Sequence, residues 1–364
     1  MTQATTHSPF RSALATVPTY KAGKQPAAVS GLTPYKLSSN EHYLQPLPGV
    51  MEAIAEPNTP AAYPDPAASA LTTALSEYLR VPTDHIAVGA GGSEIITALS
   101  HITLEPEAEV VYPSPSFELY SQAAALNGAN RTPVGLTGEL KHDLKTMAEA
   151  ITEHTRLVAL CSPNNPTGPT ISKDEFETFM AEVPSGVLVV LDEAYWEFIT
   201  DPAAVNGLAA LNDYDNLVLV RTFSKAHGLA GLRIGYAVAK PHVISEVRKA
   251  LIPFSVTAPS QKAAIASLQR IDEVLERAKT IADVRDEFVA ALRSQGWDVP
   301  QAQANFVWLP LGELSTAFED ACVAQSLAVR NLNDGVRISI GEPDAMKRVL
   351  QVAAEFRQHH YPTA

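Results

Sequence analysis

The sequence predicts an α/β fold in which helices cover both faces of a mostly parallel sheet. Short apolar runs alternate with amphipathic segments between residues 86 and 239. Several runs are apolar at every position, as in Val187–Leu191, which is typical of strands buried on both faces. Glycine-rich or polar turns follow four of these runs, at the strand ends where such sheets bind their ligands.

Seven runs are expected to be strands of this sheet, and two of the helices between them have recognisable ends. One helix should stop at Asn127-Gly128, and another should begin with a capping box between Ser172 and Glu175. The predicted strands are Ile86–Gly89, Glu109–Tyr112, Arg131–Val134, Arg156–Cys161, Val187–Leu191, Leu217–Thr222 and Ile234–Ala239. The predicted helices are Glu94–Ile102, Phe117–Asn127, Leu144–Ile151 and Ser172–Ala181.

The chain on either side of this region predicts further elements. Ahead of it, leucines at four-residue spacing predict a helix over Ala67–Leu79, preceded by a strand at Tyr35–Leu37 and a helix at Gly49–Ala55. After Lys240 the pattern changes to long helices and two separate strands, which indicates a second, α+β domain. Its predicted elements are Pro241–Leu251, Ser260–Ser294, Phe306–Leu309, Glu313–Gln325, Val336–Ile340 and Ala345–His359.

Composition excludes several classes of protein. The 364 residues are 46% hydrophobic, too apolar for a disordered chain, and the net charge of −13 without a basic cluster argues against nucleic-acid binding. Cys161 and Cys322 form no disulfide framework and no metal-ligand spacing, which indicates a reducing compartment. No run approaches the roughly 18 apolar residues of a membrane span, and residues 1–20 lack a signal-peptide core. We therefore expect a cytoplasmic protein.

Three of the turns after strands carry candidate binding groups. Gly89–Glu94 joins a strand to a helix N-terminus, where backbone N–H groups can hold a phosphate, although most glycine-rich turns are only structural. Ser162–Gly168 contains two prolines and a glycine, which would aim Asn165 inward or simply form a turn. Asp192 ends a buried strand and could bind a cation, bind a metal or cap a helix.

The fourth turn carries a lysine in unusual surroundings. Lys225 follows the strand Leu217–Thr222 and is flanked by small and apolar residues, with Arg233 eight positions later. Such neighbours would desolvate the amine and favour its neutral form, which can bond covalently to an aldehyde.

Together these groups suit pyridoxal 5′-phosphate. Asp192 would keep the pyridine nitrogen protonated, which makes the ring an electron sink. Asn165 and Tyr195 would hydrogen-bond the ring 3′-oxygen, and Lys225 would hold the aldehyde and then move the proton at the substrate Cα. The phosphate would be held by Gly92, Ser93, Ser224 and Arg233.

The motifs Asn-Asn-Pro-Thr-Gly, Asp-Glu-Ala-Tyr and Ser-Lys-Ala-x-Gly-Leu-Ala-Gly-Leu-Arg occur in this order. In this the chain resembles the fold-type I pyridoxal-phosphate aminotransferases, and within them the histidinol-phosphate/aromatic branch. The resemblance spans nearly the whole chain. It implies an N-terminal arm and part of the small domain at 1–45, a large cofactor domain with a seven-stranded sheet at 46–255, and a small α+β domain at 256–364.

The resemblance also implies roles for residues outside the four turns. Phe117 matches the aromatic that stacks on the cofactor ring, and Tyr63 matches a tyrosine that reaches the cofactor phosphate of a partner subunit, which implies a homodimer. Asn40 and Arg337 match groups that bind the substrate α-carboxylate, and the arginine fork suits a carboxylate. The branch reads the substrate side chain near Tyr20 and Arg330.

The resemblance leaves the amino donor open. Transfer to 2-oxoglutarate by double displacement is implied, with either an aromatic amino acid or histidinol phosphate as donor. Local stretches such as Pro253–Val256 resemble phenylalanine/aromatic aminotransferases more, so phenylalanine is favoured. A decarboxylase on the same fold is a remoter alternative. His42 and His227 stand where the family often has other residues, and they would either face the substrate channel or fill a niche.

Overall fold

The computed structural model describes residues 10–17, 19, 21–56 and 59–361. Its strands in chain order are β1 (Tyr35–Lys36), β2 (Ile86–Gly89), β3 (Glu109–Ser114), β4 (Asn130–Gly135), β5 (Thr155–Cys161), β6 (Leu188–Asp192), β7 (Leu217–Thr222), β8 (Gly235–Ala239), β9 (Phe306–Leu309), β10 (Leu327–Ala328), β11 (Arg330–Asn331) and β12 (Val336–Ser339).

The α-helices account for most of the remaining chain. They are α1 (Pro48–Ala55), α2 (Ser69–Leu79), α3 (Gly92–Thr103), α4 (Leu119–Asn127), α5 (Leu144–Glu149), α6 (Lys173–Glu182), α7 (Gly207–Ala210), α8 (Pro241–Ala250), α9 (Ala258–Leu268), α10 (Ile271–Ser294), α11 (Ser315–Ala324) and α12 (Pro343–His360). Short 3-10 turns lie at Ser12–Thr16, Thr83–His85, Trp196–Phe198, Ala230–Leu232 and Gly312–Leu314.

Strands β2 to β8 form the predicted seven-stranded sheet, in the order β2-β8-β7-β6-β5-β3-β4. Neighbouring strands from β7 to β4 are parallel, whereas β8 pairs antiparallel with both β7 and β2. The expected mostly parallel sheet is thus confirmed, with one reversed strand. The carboxyl ends of β2, β5, β6 and β7 consequently lie along one edge.

Side chains alternate between two apolar layers, as expected for a sheet that is covered on both faces. Along β5, Leu157 and Ala159 belong to one layer, whereas Val158 and Leu160 belong to the other. Helix α3 packs against α4 and α8 in the first layer. The capping box of α6 forms as predicted, since Ser172 and Glu175 each accept a backbone N–H of the other.

The smaller sheets bring the two ends of the chain together. Strand β1 pairs in parallel with β10, in the register Tyr35 to Leu327. Strands β11, β12 and β9 form an antiparallel sheet, in which Arg330 lies opposite Arg337. The two-residue strands β10 and β11 were not predicted, because they are too short to show an alternating pattern.

The single helical region expected at Ser260–Ser294 is in fact two helices, α9 and α10. The break falls at Gln269 and Arg270, where Arg270 leaves the helical region at φ −117° and ψ 31°. No glycine or proline marks this position in the sequence. Helix α9 packs against α1 and α2, which are distant segments whose contacts the local sequence pattern does not show. Within the described ranges, no helix combines the length and apolar character needed to cross a membrane.

Candidate active site

A cavity of about 230 Å³ lies where the loops after β2, β5, β6 and β7 meet residues from the smaller sheets. Most of the residues selected from the sequence line it. They are Asn40, Gly92, Ser93, Phe117, Asn165, Asp192, Tyr195, Ser224, Lys225, Arg233, Arg330 and Arg337. Tyr63 is not among the described residues around the cavity, and Tyr20 lies outside the part of the chain that the structure describes.

Asp192 presents a buried carboxylate at the end of β6. Its Oδ2 accepts a hydrogen bond from the Tyr120 hydroxyl at 2.7 Å, and its Oδ1 accepts one from the Ala194 N–H at 3.1 Å. Burial raises the pKa of Asp192 to about 6, although both donors act to lower it. A cationic partner would restore the ionised form, so the site suits a protonated ring nitrogen.

Lys225 lies on the loop after β7, with its amine in the cavity wall. Its Nζ lies 3.5 Å from the Ser39 carbonyl oxygen and 5.6 Å from the centre of the Tyr195 ring. Burial, together with the cationic Arg337 and Arg233, lowers the pKa of Lys225 to about 8. The neutral amine is therefore accessible near neutral pH, as chemistry with an aldehyde requires.

The glycine-rich turn and Arg233 form a cradle for an anion. Gly91 has φ +83°, and a Cβ at this position would lie 2.4 Å from Nη2 of Arg233. A Cβ on Gly235 would lie 2.3 Å from the Gly92 nitrogen. Arg233 Nη1 also lies 3.5 Å from Ser224 Oγ. A guanidinium, hydroxyls and the N-terminus of α3 thus converge, and this donor set fits a phosphate group.

Glu94 connects the glycine-rich turn of this cradle to the loop at residues 252–255, a role that the sequence did not reveal. Its carboxylate accepts hydrogen bonds from the Ala90 N–H, from the Ile252 N–H at 3.0 Å and from Ser255 Oγ at 2.8 Å. The Glu94 carboxylate, which lies beside the anion cradle, is therefore hydrogen-bonded by three donors from two loops.

On the opposite wall, side chains from distant parts of the chain join in one network. Asn40 has φ +52°, and its Nδ2 donates to the Tyr195 hydroxyl at 3.0 Å. Ser339 on β12 donates to Asn40 Oδ1 at 2.9 Å. Arg337 Nη2 donates to the Ser38 carbonyl oxygen at 3.0 Å. This wall thus presents an amide, a phenol and a guanidinium, which suits a substrate carboxylate.

Tyr63 and Arg330 are the outlying members of the predicted set. The Tyr63 side chain is 82% exposed and stacks on Phe254 at 4.6 Å between ring centres. Arg330 lines the cavity at the edge strand β11 and donates to the Lys21 carbonyl oxygen.

His42 and His227 do not line the cavity; they line a small neighbouring pocket. His227 is buried, hydrogen-bonds to Ser267 Oγ at 2.7 Å and packs against Phe223. Burial lowers the pKa of His42 to about 4 and that of His227 to about 3. The two histidines were expected either to face the substrate channel or to fill a niche, and the structure agrees with the second.

Sequence reasoning missed several residues in or behind the cavity wall. Tyr120 is not part of the lining but binds Asp192 directly, and its signal in the sequence is that it follows Phe117 by three residues. Arg221 and Cys161 line the cavity. Arg221 is buried against Glu193, with Nη2 2.8 Å from Oε2.

Known proteins resemble this chain in both sequence and fold. Residues 33–352 match the family described as aminotransferase class I and II. The chain is 46% identical over 351 residues to the aromatic amino acid aminotransferase of Streptomyces avermitilis, which covers 96% of this chain and 98% of that protein. It is 45% identical to the protein of the same name from Thermobifida fusca, over 95% of this chain and 97% of that protein.

Similarity to a solved structure is weaker in sequence but extends over the whole fold. The histidinol-phosphate aminotransferase of Sinorhizobium meliloti, in complex with pyridoxal-5′-phosphate, superposes with a TM-score of 0.85 at 26% identity. The alignment covers 98% of this chain and 99% of that one.

Proposed function

The chain belongs to the class I and II aminotransferases, and from that premise we propose that it transfers the amino group of an aromatic amino acid, phenylalanine first, to 2-oxoglutarate. The observation that carries the proposal is the position of the Lys225 amine. It lies in one cavity with the acid Asp192 and the carboxylate-binding Arg337.

Pyridoxal 5′-phosphate is the cofactor, and the cavity fits it. When bound, it supplies an aldehyde that takes up an amino group and a protonated ring that draws electrons from the substrate Cα. Asp192 would accept a hydrogen bond from the protonated ring nitrogen, and Phe117 would pack against the ring. Asn165 and Tyr195 would donate to the ring oxygen, and the phosphate would be held by Gly92, Ser93, Ser224 and Arg233.

The remaining residues bind the substrate and move one proton. Arg337 and Asn40 hold the α-carboxylate, which orients the Cα–H bond towards Lys225. The neutral Lys225 amine would remove the Cα proton and hold it until it is returned, so that Lys225 is regenerated unchanged. The amino acid would leave as its 2-oxo acid and 2-oxoglutarate would leave as glutamate. This exchange of an amino group for a carbonyl oxygen balances without an oxidant.

The relatives support an aromatic donor. Those at 41–46% identity are named aromatic amino acid aminotransferases, whereas the histidinol-phosphate enzyme is only 26% identical. Histidinol phosphate remains the second candidate, because Arg330 at the cavity could bind either a phosphate or the distal carboxylate of 2-oxoglutarate.

We also propose a homodimer in which Tyr63 reaches the cofactor phosphate of the partner subunit. The support is that Tyr63 stacks on Phe254 and that both residues are exposed, at 82% and 39%, as is the apolar Ile252 nearby in the sequence, at 67%. Ile252 is bonded through its N–H to Glu94, so Ile252 adjoins the anion cradle. The cytoplasm is the proposed location, given two free and buried cysteines.

A donor panel with 2-oxoglutarate tests the proposal. Phenylalanine, tyrosine, tryptophan and histidinol phosphate are compared by kcat/KM, and phenylalanine is expected to lead. A lead of tenfold or more for histidinol phosphate, about 1.4 kcal/mol of transition-state preference, would reverse the ranking. Release of CO₂ without a 2-oxo acid product would instead indicate a decarboxylase.

A further inference from the structure

We propose that Tyr120 is a positioning residue, which fixes the Asp192 carboxylate and the Phe117 ring together and so sets both the protonation and the placement of the cofactor ring. The inference rests on the proposed roles of Asp192 and Phe117. Tyr120 would act on the cofactor ring only through Asp192 and Phe117, without touching the ring itself.

The geometry connects one side chain to two walls of the ring site. The Tyr120 hydroxyl donates to Asp192 Oδ2 at 2.7 Å. The Tyr120 ring meets the edge of Phe117 at 5.7 Å between ring centres, with an interplanar angle of 89°. Helix α4 carries Tyr120, while Phe117 lies just before it and Asp192 ends β6. Tyr120 therefore links the stacking residue to the acid.

The surroundings make this hydrogen bond important. Asp192 and Tyr120 are 4% and 3% exposed, so the carboxylate has little water to stabilise its charge. The Ala194 N–H donates to Oδ1, whereas the Tyr120 hydroxyl donates to Oδ2. Burial raises the pKa of Asp192, and the Tyr120 hydroxyl is the largest influence that lowers it. Without that hydroxyl, Asp192 would hold its own proton more readily and would pair less well with a cationic ring nitrogen.

The neighbouring strand offers no comparable donor. Cys161 lies opposite Asp192 in the register of β5 and β6, but its Sγ donates to the Pro163 carbonyl oxygen at 3.3 Å. Burial raises the pKa of this thiol, so it stays uncharged. A phenylalanine at position 120 would retain the edge contact with Phe117 and lose the hydroxyl, which bonds to Asp192 and also interacts with the uncharged Cys161 thiol.

The test uses Tyr120→Phe in the holoenzyme, with Asp192→Asn, the double variant and Tyr214→Phe as controls. Tyr214 packs against Phe176, outside the cavity lining. Cofactor labelled with ¹⁵N at the ring nitrogen reports its protonation by NMR across pH, and titration of apoenzyme with pyridoxal phosphate gives its Kd.

In Tyr120→Phe, we expect the protonation constant of the ring nitrogen to fall about tenfold and the Kd to rise about tenfold, as for loss of one hydrogen bond to a charged group. In the Asp192→Asn background the same change should have little effect, because Tyr120 acts through that carboxylate. Tyr214→Phe should match the wild type.

Three results would overturn the inference, and they distinguish its failure from that of the role proposed for Asp192. If Asp192→Asn abolishes ring-nitrogen protonation while Tyr120→Phe leaves it as in the wild type, Tyr120 only fills space and the inference is wrong. If Asp192→Asn leaves the ring nitrogen protonated, the role proposed for Asp192 fails, and the inference fails with it. Equal effects of Tyr120→Phe in both backgrounds would also overturn the inference, since they would reveal a purely structural role.

Discussion

Nη1 of Arg337 lies 2.5 Å from Oδ1 of Asn165, so a residue of strand β12 is bonded to the loop that follows β5. The contact joins the proposed carboxylate-binding residue to the proposed ligand of the ring oxygen. The small antiparallel sheet and the large sheet therefore meet at the substrate position.

Arg337→Lys should impair substrate binding more than the later steps. Lysine keeps the positive charge but loses the fork that binds a carboxylate through two parallel hydrogen bonds. We expect kcat/KM for phenylalanine to fall about 10- to 100-fold, mainly through KM. Steady-state kinetics measure this, with Arg348→Lys on α12 as the matched control. An unchanged KM would remove Arg337 from the carboxylate site.

Lys225→Ala should abolish both covalent attachment of the cofactor and transamination. The variant lacks the amine that bonds to the aldehyde and moves the Cα proton, so we expect turnover to fall by about 10²- to 10⁴-fold or more. Absorbance of the holoenzyme and 2-oxo acid formation are the measurements. Lys240→Ala, at the N-terminus of α8, should behave as the wild type. Retained turnover in Lys225→Ala would sink the assignment.

Covalent capture of pyridoxal phosphate by the apoenzyme should accelerate with pH and level off above about pH 8. The reactive form is the neutral amine, and the pKa of Lys225 is lowered to about 8 by burial and by nearby cations. Arg337→Met removes one of those cations, so the midpoint should move to higher pH. Arg337→Lys retains the charge and should leave the midpoint in place. Stopped-flow absorbance follows the rate, and equal midpoints in both variants would contradict the electrostatic account.

Gly91→Ala should weaken cofactor binding. The position has φ +83°, and the added Cβ would meet the Arg233 guanidinium at 2.4 Å. Strain of about 1–3 kcal/mol, relieved by displacing Arg233 from the cradle, corresponds to a Kd about 5- to 150-fold higher. Titration of the apoenzyme measures it. Gly138→Ala is the control, because nothing lies within 4 Å of its added Cβ. Unaltered affinity in Gly91→Ala would show that the cradle does not bind the phosphate.

Arg221→Met should destabilise the protein strongly. Arg221 and Glu193 are 2% and 3% exposed, so the substitution leaves a buried carboxylate without its cation, at a cost of about 3–5 kcal/mol. Urea unfolding monitored by circular dichroism gives the difference. Lys279→Met breaks the exposed pair with Asp283 and should change stability by less than about 1 kcal/mol. Similar losses in both variants would contradict this reasoning.

The sequence was sufficient to predict which residues lie at the cavity when they directly end or follow a strand. Asp192 and Lys225 each end or follow a continuous apolar run, and parallel strands bring such ends to one edge. The same patterns give nearly all the strands of the large sheet. Local periodicity and turn residues suffice for features of this kind.

Features that depend on packing between distant segments could not be read in this way. The contact between Tyr120 and Asp192 requires knowing which helix covers which strand. Glu94 binds Ile252 and Ser255, which lie far away in the sequence. The break at Gln269 carries no helix-breaking residue at all. In each case the information lies in the tertiary arrangement.

The reversed strand β8 has a consequence for the order in which the molecule is built. Strand β2, which leads into the anion cradle, is an edge strand whose neighbour in the sheet is β8, and Gly89 pairs with Gly235 far along the chain. Pairing β2 with β8 closes a long loop, which has a large entropic cost and therefore forms slowly. During synthesis β2 and the glycine-rich turn emerge well before β8, so β2 can take its place in the sheet only after β8 has been made.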